Sequence, residues 1–158
     1  ADDVASSGTV GACLEAADQN VPGIALSQGW GDGAETDWGC AESLTETMLP
    51  ALAGAISDPR MVLNVNFPAL ADASAVAGCR VVHAGWRLGP TTLQERPESQ
   101  DNRVFYIDSL RANKPNEPDC DLDQLGRGFV TVTPLTLDQT NHAAIRTTSE
   151  RLAHVFCE

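Results

Sequence analysis

The chain has 158 residues, which is the length of a single domain. Its 22 Asp and Glu residues outnumber its 10 Lys and Arg residues, so the net charge is -12. Because so acidic a chain repels phosphate backbones and anionic lipids, we expect neither a nucleic-acid polymer nor a membrane as a partner. Hydrophobic residues make up 42% of the chain, which excludes a disordered protein.

The first predicted helix runs from about Thr9 to Gln19, because apolar residues recur there at helical spacing. Asn20 and Pro22 are expected to end it. A short apolar strand over 24–26 follows, and a glycine-rich loop over 29–33 comes after that strand.

A second helix is predicted from about Asp37 to Ile56, with Pro50 expected to kink it or to divide it in two. The next strand, over 61–67, places Asn64 and Asn66 together on one face. Along the rest of the chain we predict three strands at 79–84, 104–107 and 129–133, two exposed loops at 88–102 and 113–125, and a last helix at 141–156. The front of the chain alternates strands and helices and the middle forms hairpins, so the predicted fold class is α/β.

The segment that ends in Ser7, Gly8 and Thr9 stands immediately before the first predicted helix. A helix N-terminus presents unpaired N–H groups and a partial positive charge, which suit an anion. Gly8 lets a ligand approach the backbone, and the hydroxyls of Ser7 and Thr9 add donors. These three residues therefore form a candidate phosphate cradle. The alternative is that Ser7 only caps the helix, and the spacing leaves both interpretations open.

Other candidate groups carry less information. Asp119, Asp121 and Asp123 resemble the start of an EF-hand loop, but Gln124 and Val130 stand where Gly and Glu are required, so a solvated acidic loop is expected. Asn64 and Asn66 are expected to make sheet-edge hydrogen bonds. The three histidines have no partner at metal-ligand spacing and are expected at the surface or at helix ends: His83, His142 and His154.

The five cysteines are widely spaced and form no CxxC pair: Cys13, Cys40, Cys79, Cys120 and Cys157. This spacing does not fit a zinc ribbon or a redox motif. Because the number is odd, complete internal pairing is impossible. We expect Cys13 to be a buried free thiol, whereas the others allow one or two disulfides if the protein is exported. The sequence leaves export and a cytoplasmic location equally open.

Four segments resemble the SurE survival-protein family and follow one another in the family's order. They are DDVASSGTVGA at 2–12, VPGIALS at 21–27, LNVNFP at 63–68 and GRGFVTVTPLTLDQT at 126–140. The first is similar to the family's DDVxYSGTVxAA pattern, with Ala5 and Ser6 in place of a bulky residue and a Tyr. Together these segments span most of the chain.

The resemblance implies a Rossmann-like α/β fold and a phosphatase activity on nucleoside monophosphates that depends on a divalent cation such as Mg²⁺ or Mn²⁺. It also implies that Ser7, Gly8 and Thr9 hold the substrate phosphate. The family's NDDG metal-binding motif is expected to lie before Ala1, so that the chain is the C-terminal portion of a SurE-like protein with its metal ligands mainly elsewhere. No catalytic residue is assigned within the chain.

By the same resemblance, residues 1–158 form one SurE-like domain. Its core α/β portion covers about 1–70, and about 78–158 forms hairpins and a last helix that mediate assembly into a homodimer or homotetramer. Two rival interpretations stay open. One is a non-catalytic fragment or pseudoenzyme subunit that binds or assembles without turnover, and the other is an exported acidic binding module held by disulfides.

Overall fold

The fold comes from a computed structural model, which describes residues 2–29, 37–70, 72–86, 91–97, 103–109, 117–153 and 155. After a 3-10 turn at Asp2–Ser6, the described helices are α1 Gly8–Asp18, α2 Gly39–Ala55, α3 Asp121–Gly126 and α4 His142–Leu152. The described strands are β1 Gly23–Gln28, β2 Val62–Phe67, β3 Gly78–Val81, β4 Thr91–Pro97, β5 Arg103–Ser109 and β6 Phe129–Leu135. The predicted α/β fold class is confirmed.

Four strands form a mixed sheet in the order β1-β2-β6-β3. Strands β1 and β2 are parallel, β6 runs antiparallel to β2, and β3 runs parallel to β6. Strands β4 and β5 form a separate antiparallel ribbon. Helix α2 connects the parallel strands β1 and β2, which is the crossover that such a pair requires.

The residues after α1 explain why the chain turns back to form β1. Asn20 has a φ of 60°, and its N–H donates to the carbonyl of Ala17. The N–H of Val21 donates to the carbonyl of Ala16 at 3.0 Å. These are the two bonds of a Schellman motif, with Asn in place of the usual Gly. The prediction that Asn20 ends the helix is confirmed.

The apolar core lies between α2 and one face of the sheet. It is formed by Leu52, Leu63, Val65, Phe67, Val130 and Val132. Pro50 is exposed inside α2, which continues unbroken to Ala55. Of the two outcomes expected for Pro50, a kink or a division of the helix, the division is therefore wrong. Met48 and Leu52 both pack on the core, so contacts on either side of Pro50 hold the helix together, while the bond that Pro50 removes lies on the solvent side.

Both predicted loops contain regular structure. Strand β4 lies within the predicted loop 88–102. All of α3 except its last residue, Gly126, lies within the predicted loop 113–125, whose first four residues are outside the described part. Strand β4 could not be predicted from the sequence, because a two-stranded ribbon away from the core needs no alternation of apolar and polar residues. Its Leu93, for example, is 70% exposed. Helix α3 is too short to show a helical period.

The ends of two other predictions fall outside the described residues. Gly29 follows β1 as irregular backbone, but positions 30–33 of the predicted loop are not described. The last helix ends at Leu152, and His154, Phe156 and Cys157 are not described. Within the described ranges, none of the helices combines the length and the apolar character that crossing a bilayer requires.

Candidate functional site at the carboxyl edge of the parallel strands

Helix α1 lies on the face of the sheet opposite the apolar core. A Cβ atom added to Gly23 would stand 2.6 Å from the Cβ of Cys13, so Gly23 faces α1. Because side chains alternate along a strand, Ala25 and Ser27 share this face. Residues 19–22 connect the end of α1 to the start of β1, so the two elements run antiparallel. The N-terminus of α1 therefore lies at the carboxyl edge of β1, where α/β proteins bind ligands.

The hydrogen bonds at the start of α1 leave two donors for a ligand. The Ser7 hydroxyl accepts from the N–H of Val10 at 3.2 Å, and the Ser7 carbonyl accepts from the N–H of Gly11 at 2.8 Å. Within the described part of the chain, the N–H groups of Gly8 and Thr9 have no acceptor. Both residues are exposed. An anion at this point meets two free N–H groups and the positive end of the helix dipole.

Both interpretations of Ser7 are compatible with this geometry. As a cap, its oxygen accepts a hydrogen bond, which leaves its own O–H proton to be donated to a ligand. A Cβ atom added to Gly8 has no neighbour within 4 Å, so packing does not require glycine there. A ligand that approaches the backbone closely is a physical reason for glycine at this exposed position. The assignment of Ser7, Gly8 and Thr9 as the phosphate cradle stays a prediction.

The N-terminus of α2 lies at the same edge, on the opposite face of the sheet. There the carboxylate of Asp37 accepts from the N–H of Gly39 at 2.9 Å, and the buried Gln28 side chain donates to the carbonyl of Asp37. The Asp37 charge already complements this helix end and would repel a second anion. Of these two helix starts, only that of α1 suits a phosphate.

A row of polar side chains crosses the sheet on the α1 face. Ser27 pairs in register with Asn66, Asn66 with Thr131, and Thr131 with Arg80. Strand β2 lies between β1 and β6, so the expectation that Asn64 and Asn66 bond at a sheet edge is wrong. Sequence reasoning missed this row because its members come from four separate segments.

Two threonines of β6 on this face keep unsatisfied hydroxyl groups. Thr131 is 0% exposed and Thr133 is 3% exposed, and among the described residues neither Oγ1 atom has a hydrogen-bond partner. Buried polar atoms usually find a partner, since leaving one unpaired costs about 1–3 kcal/mol. The signal that the sequence offered was two threonines, Thr131 and Thr133, on one face of the predicted strand 129–133.

A groove of about 880 Å³ lies beside this row, between α3 and strands β3 and β6. The guanidinium of Arg80 stands 4.7 Å from the centre of the Phe129 ring at one end of the groove. Arg127, also in the lining, is paired with Asp123 at 3.4 Å. His83 lies in the lining too, with its Nε2 3.6 Å from the Glu117 carboxylate, so it is a surface residue as predicted.

The acidic segment before α3 is not the solvated loop that the sequence predicted. Asp121 is only 3% exposed, and its Oδ1 accepts from the N–H groups of Gly85 at 2.9 Å and Leu122 at 2.8 Å. It therefore ties the start of α3 to the segment after β3. Asp123 accepts from the side chain of Gln124 at 3.1 Å. These carboxylates have a structural role in positioning one wall of the groove.

The four described cysteines are free thiols. Cys13 is half-buried in α1, where burial was expected, and burial raises the pKa of its thiol. Burial is also the main cause that raises the pKa of Cys40, with contributions from the negative charges of Asp72 and Asp37. A raised pKa keeps a thiol protonated and a poor nucleophile, so neither cysteine is a candidate for catalysis.

His142 lies at the start of α4 and acts as a helix-end residue, as predicted. Its Nε2 is 2.6 Å from Oδ2 of Asp138, and the Asn141 side chain accepts from the N–H of Ala144. Hydrogen bonds from Thr140 and His142 lower the pKa of Asp138. The pair stabilises the chain as it enters α4, and both side chains are exposed.

The described residues do not fit a resident divalent cation. Across the described ranges, no three His, Cys, Asp or Glu side chains come together in an arrangement that could hold a metal ion. What they offer at the start of α1 is two backbone N–H donors without an acceptor among the described residues.

This architecture defines an α/β protein whose first long helix begins at the carboxyl edge of its parallel strands. A sequence model of the survival protein SurE family matches residues 1–89, which is more than half of the chain. The chain therefore belongs to the SurE family.

Individual relatives agree with this assignment. The chain is 39% identical over 154 residues to the 5'-nucleotidase SurE of Rhizorhabdus wittichii, an alignment that covers 94% of this chain and 59% of the relative. It is 37% identical over 150 residues to the 5'-nucleotidase SurE of Bradyrhizobium diazoefficiens, covering 90% and 58%. The crystal structure of the SurE protein from Aquifex aeolicus matches with a TM-score of 0.71 and 25% identity, over 95% of this chain and 59% of that one. The chain thus spans less than two thirds of these proteins.

Proposed function

We propose that this chain supplies the phosphate-binding part of a SurE-type phosphomonoesterase that acts on nucleoside monophosphates. The observation that carries the proposal is that the N–H groups of Gly8 and Thr9, at the start of α1, have no acceptor among the described residues. The relatives' name, 5'-nucleotidase SurE, supports the substrate class. A helix N-terminus stabilises the negative charge of a phosphate both before and during its transfer.

The divalent cation that the family implies has no ligand set among the described residues. We therefore propose that its ligands come mainly from outside them, and that this chain contributes phosphate binding and orientation. A cation such as Mg²⁺ or Mn²⁺ would be required for turnover.

The purified 158-residue chain is expected to bind inorganic phosphate but not to hydrolyse p-nitrophenyl phosphate in the presence of Mg²⁺ or Mn²⁺. The physical reason is that backbone donors bind an anion but supply no nucleophile. The measurement is release of p-nitrophenol, with the purified 5'-nucleotidase SurE of Rhizorhabdus wittichii assayed in parallel. Hydrolysis by the chain that a chelator abolishes would contradict this prediction.

A second candidate is a non-catalytic subunit that binds or assembles without turnover. The lack of a ligand set in the described ranges favours it. The two candidates differ once the chain is mixed with a purified polypeptide that carries the family's metal motif. Activity gained on mixing supports a divided enzyme, whereas phosphate binding without activity supports the non-catalytic subunit.

We also propose that the later part of the chain mediates assembly into a homodimer or homotetramer. Large apolar side chains of α4 and the turn after it are more than half exposed: Ile145 and Leu152 at 53%, and Val155 at 55%. An exposed apolar stripe on a helix is usually buried against a partner.

Ending the chain at Thr140 is expected to yield monomers or insoluble protein, since the apolar stripe of α4 would be lost. A milder change, Ile145→Ser with Leu152→Ser, should lower the molar mass measured by light scattering. The matched control is Arg146→Ser, because this exposed residue lies between the two and its partner among the described residues is Glu150. The assembly proposal fails if the double variant keeps the parent's molar mass.

A further inference from the structure

The α1 face of the sheet carries a second feature at the same edge as the phosphate cradle. Strand β6 runs antiparallel to β2, so Phe129, its first residue, lies at the carboxyl edge of β2. Arg80 shares a face with Thr131 through their register and places its guanidinium over the Phe129 ring. The Arg80–Phe129 pair therefore lies on the face and at the edge that α1 reaches with its N-terminus.

Arg80 is a cation without a carboxylate partner among the described residues, in a chain with 22 acidic residues. The neighbouring Arg127 is held by Asp123 at 3.4 Å. The contact of Arg80 is instead with the Phe129 ring, whose centre lies 4.7 Å from the guanidinium carbon, and Arg80 is exposed. An exposed planar cation supported by a ring is a surface on which a nucleobase stacks.

Two members of the row lie between Ser27 and Arg80, and they differ in accessibility. Asn66 is half-buried and can contact a ligand, whereas Thr131 beside it is 0% exposed and lies out of a ligand's reach. Neighbouring strands are about 4.8 Å apart, so the backbone of Arg80, two strands away, lies roughly 10 Å from that of Asn66. A nucleoside has about this length, so a sugar at Asn66 and a base at Arg80 can belong to one ligand.

We propose that the nucleobase of a nucleoside monophosphate stacks on the guanidinium of Arg80, with its sugar against Asn66 and its phosphate at the start of α1. The proposal rests on the proposed function, which supplies the substrate class. It makes Arg80 a specificity-determining residue that distinguishes a nucleotide from a simple phosphomonoester.

The test is calorimetric titration of the purified chain with AMP, adenosine and inorganic phosphate. The parent should bind AMP about tenfold more tightly than phosphate, the size expected of one stacked base. Arg80→Gln should remove most of that difference and change phosphate affinity less than twofold. Arg80→Lys should lose most of it too, because a lysine keeps the charge without the plane. The matched control, Arg146→Gln, removes the same charge from α4 and should bind as the parent does.

The outcomes separate this proposal from the proposed function. Equal affinities of the parent for AMP and phosphate, or an Arg80→Gln variant with the parent's preference, overturn the stacking site and leave the cradle standing. An Arg80→Lys variant that behaves as the parent also overturns stacking, because charge alone then accounts for the preference. Adenosine binding that depends on Arg80 without any phosphate binding contradicts the cradle and supports the stacking site. A parent that binds neither AMP nor adenosine overturns the stacking site.

Discussion

A Gly8→Val variant is expected to lose more than tenfold in affinity for inorganic phosphate, because its branched side chain stands where the anion approaches the backbone of α1. Thr9→Val removes one hydroxyl at nearly constant shape and should weaken binding by roughly tenfold, since a hydrogen bond to an anion contributes about 1.5–3 kcal/mol. The measurement is titration with phosphate and vanadate, accompanied by thermal melts of each variant.

The open space around Gly8 separates an effect on phosphate binding from an effect on packing. Because an added Cβ there meets nothing within 4 Å, loss of affinity cannot be attributed to disturbed packing. Gly11→Ala is the matched control, since Gly11 is also in open space but lies further along α1. It should keep the parent's affinity and gain up to about 1 kcal/mol of stability.

Ser7→Ala distinguishes the two interpretations of the helix start. Loss of the bond from Val10 should cost about 1 kcal/mol of stability under either interpretation. Only the cradle interpretation predicts weaker phosphate binding as well. Should the Ser7, Gly8 and Thr9 variants all retain the parent's affinity, the cradle assignment is wrong and Ser7 is a cap alone.

A Gly23→Ala variant is expected to lose about 1–3 kcal/mol of stability, which corresponds to roughly 2–4 °C in Tm per kcal/mol for a chain of this length. The added Cβ would lie 2.6 Å from the Cβ of Cys13 and 3.0 Å from its Cα, distances that only a shift of α1 can relieve. Chemical denaturation followed by circular dichroism measures the change. The control is Gly54→Ala in α2, where open space should let alanine stabilise the helix.

A compensating change tests whether this contact is the cause. Combining Gly23→Ala with Cys13→Gly restores room between α1 and β1, although glycine within α1 costs about 1 kcal/mol. The double variant should be more stable than the sum of the single losses predicts, which a double-mutant cycle measures directly. Additive losses would show that Gly23 is required for another reason. If α1 carries the proposed cradle, Gly23→Ala should also weaken phosphate binding.

Several elements could be predicted from the sequence because their signals are local. The apolar spacing from Val10 to Ala17 predicted α1, and Asn20 predicted its end. The alternation along 61–67 predicted β2. Hydroxyl residues before a helix predicted an anion-binding start, and the four family-like segments predicted the SurE family, which the comparison confirmed.

Other features have no local signal. Strand β4 carries few apolar residues because its ribbon lies away from the core, and α3 is shorter than two turns. Asp121 looked like one member of a solvated acidic run, but it is buried because the segment after β3 packs beside it and donates the Gly85 N–H. A hydrogen-bond partner 36 residues away cannot be predicted from the residues that flank Asp121 in the sequence.

The fold class, the family and helix α1, which we propose carries the cradle, could thus be derived from the sequence. The packing and pairing of separate segments place the start of α1, the row from Ser27 to Thr131 and the Arg80–Phe129 pair on one face and at one edge of the sheet. The physical reason is that helix and strand periods depend on neighbouring residues, whereas register depends on hydrogen bonds between strands from separate parts of the chain. A shift of one residue in any of these pairings would move the polar row to the opposite face.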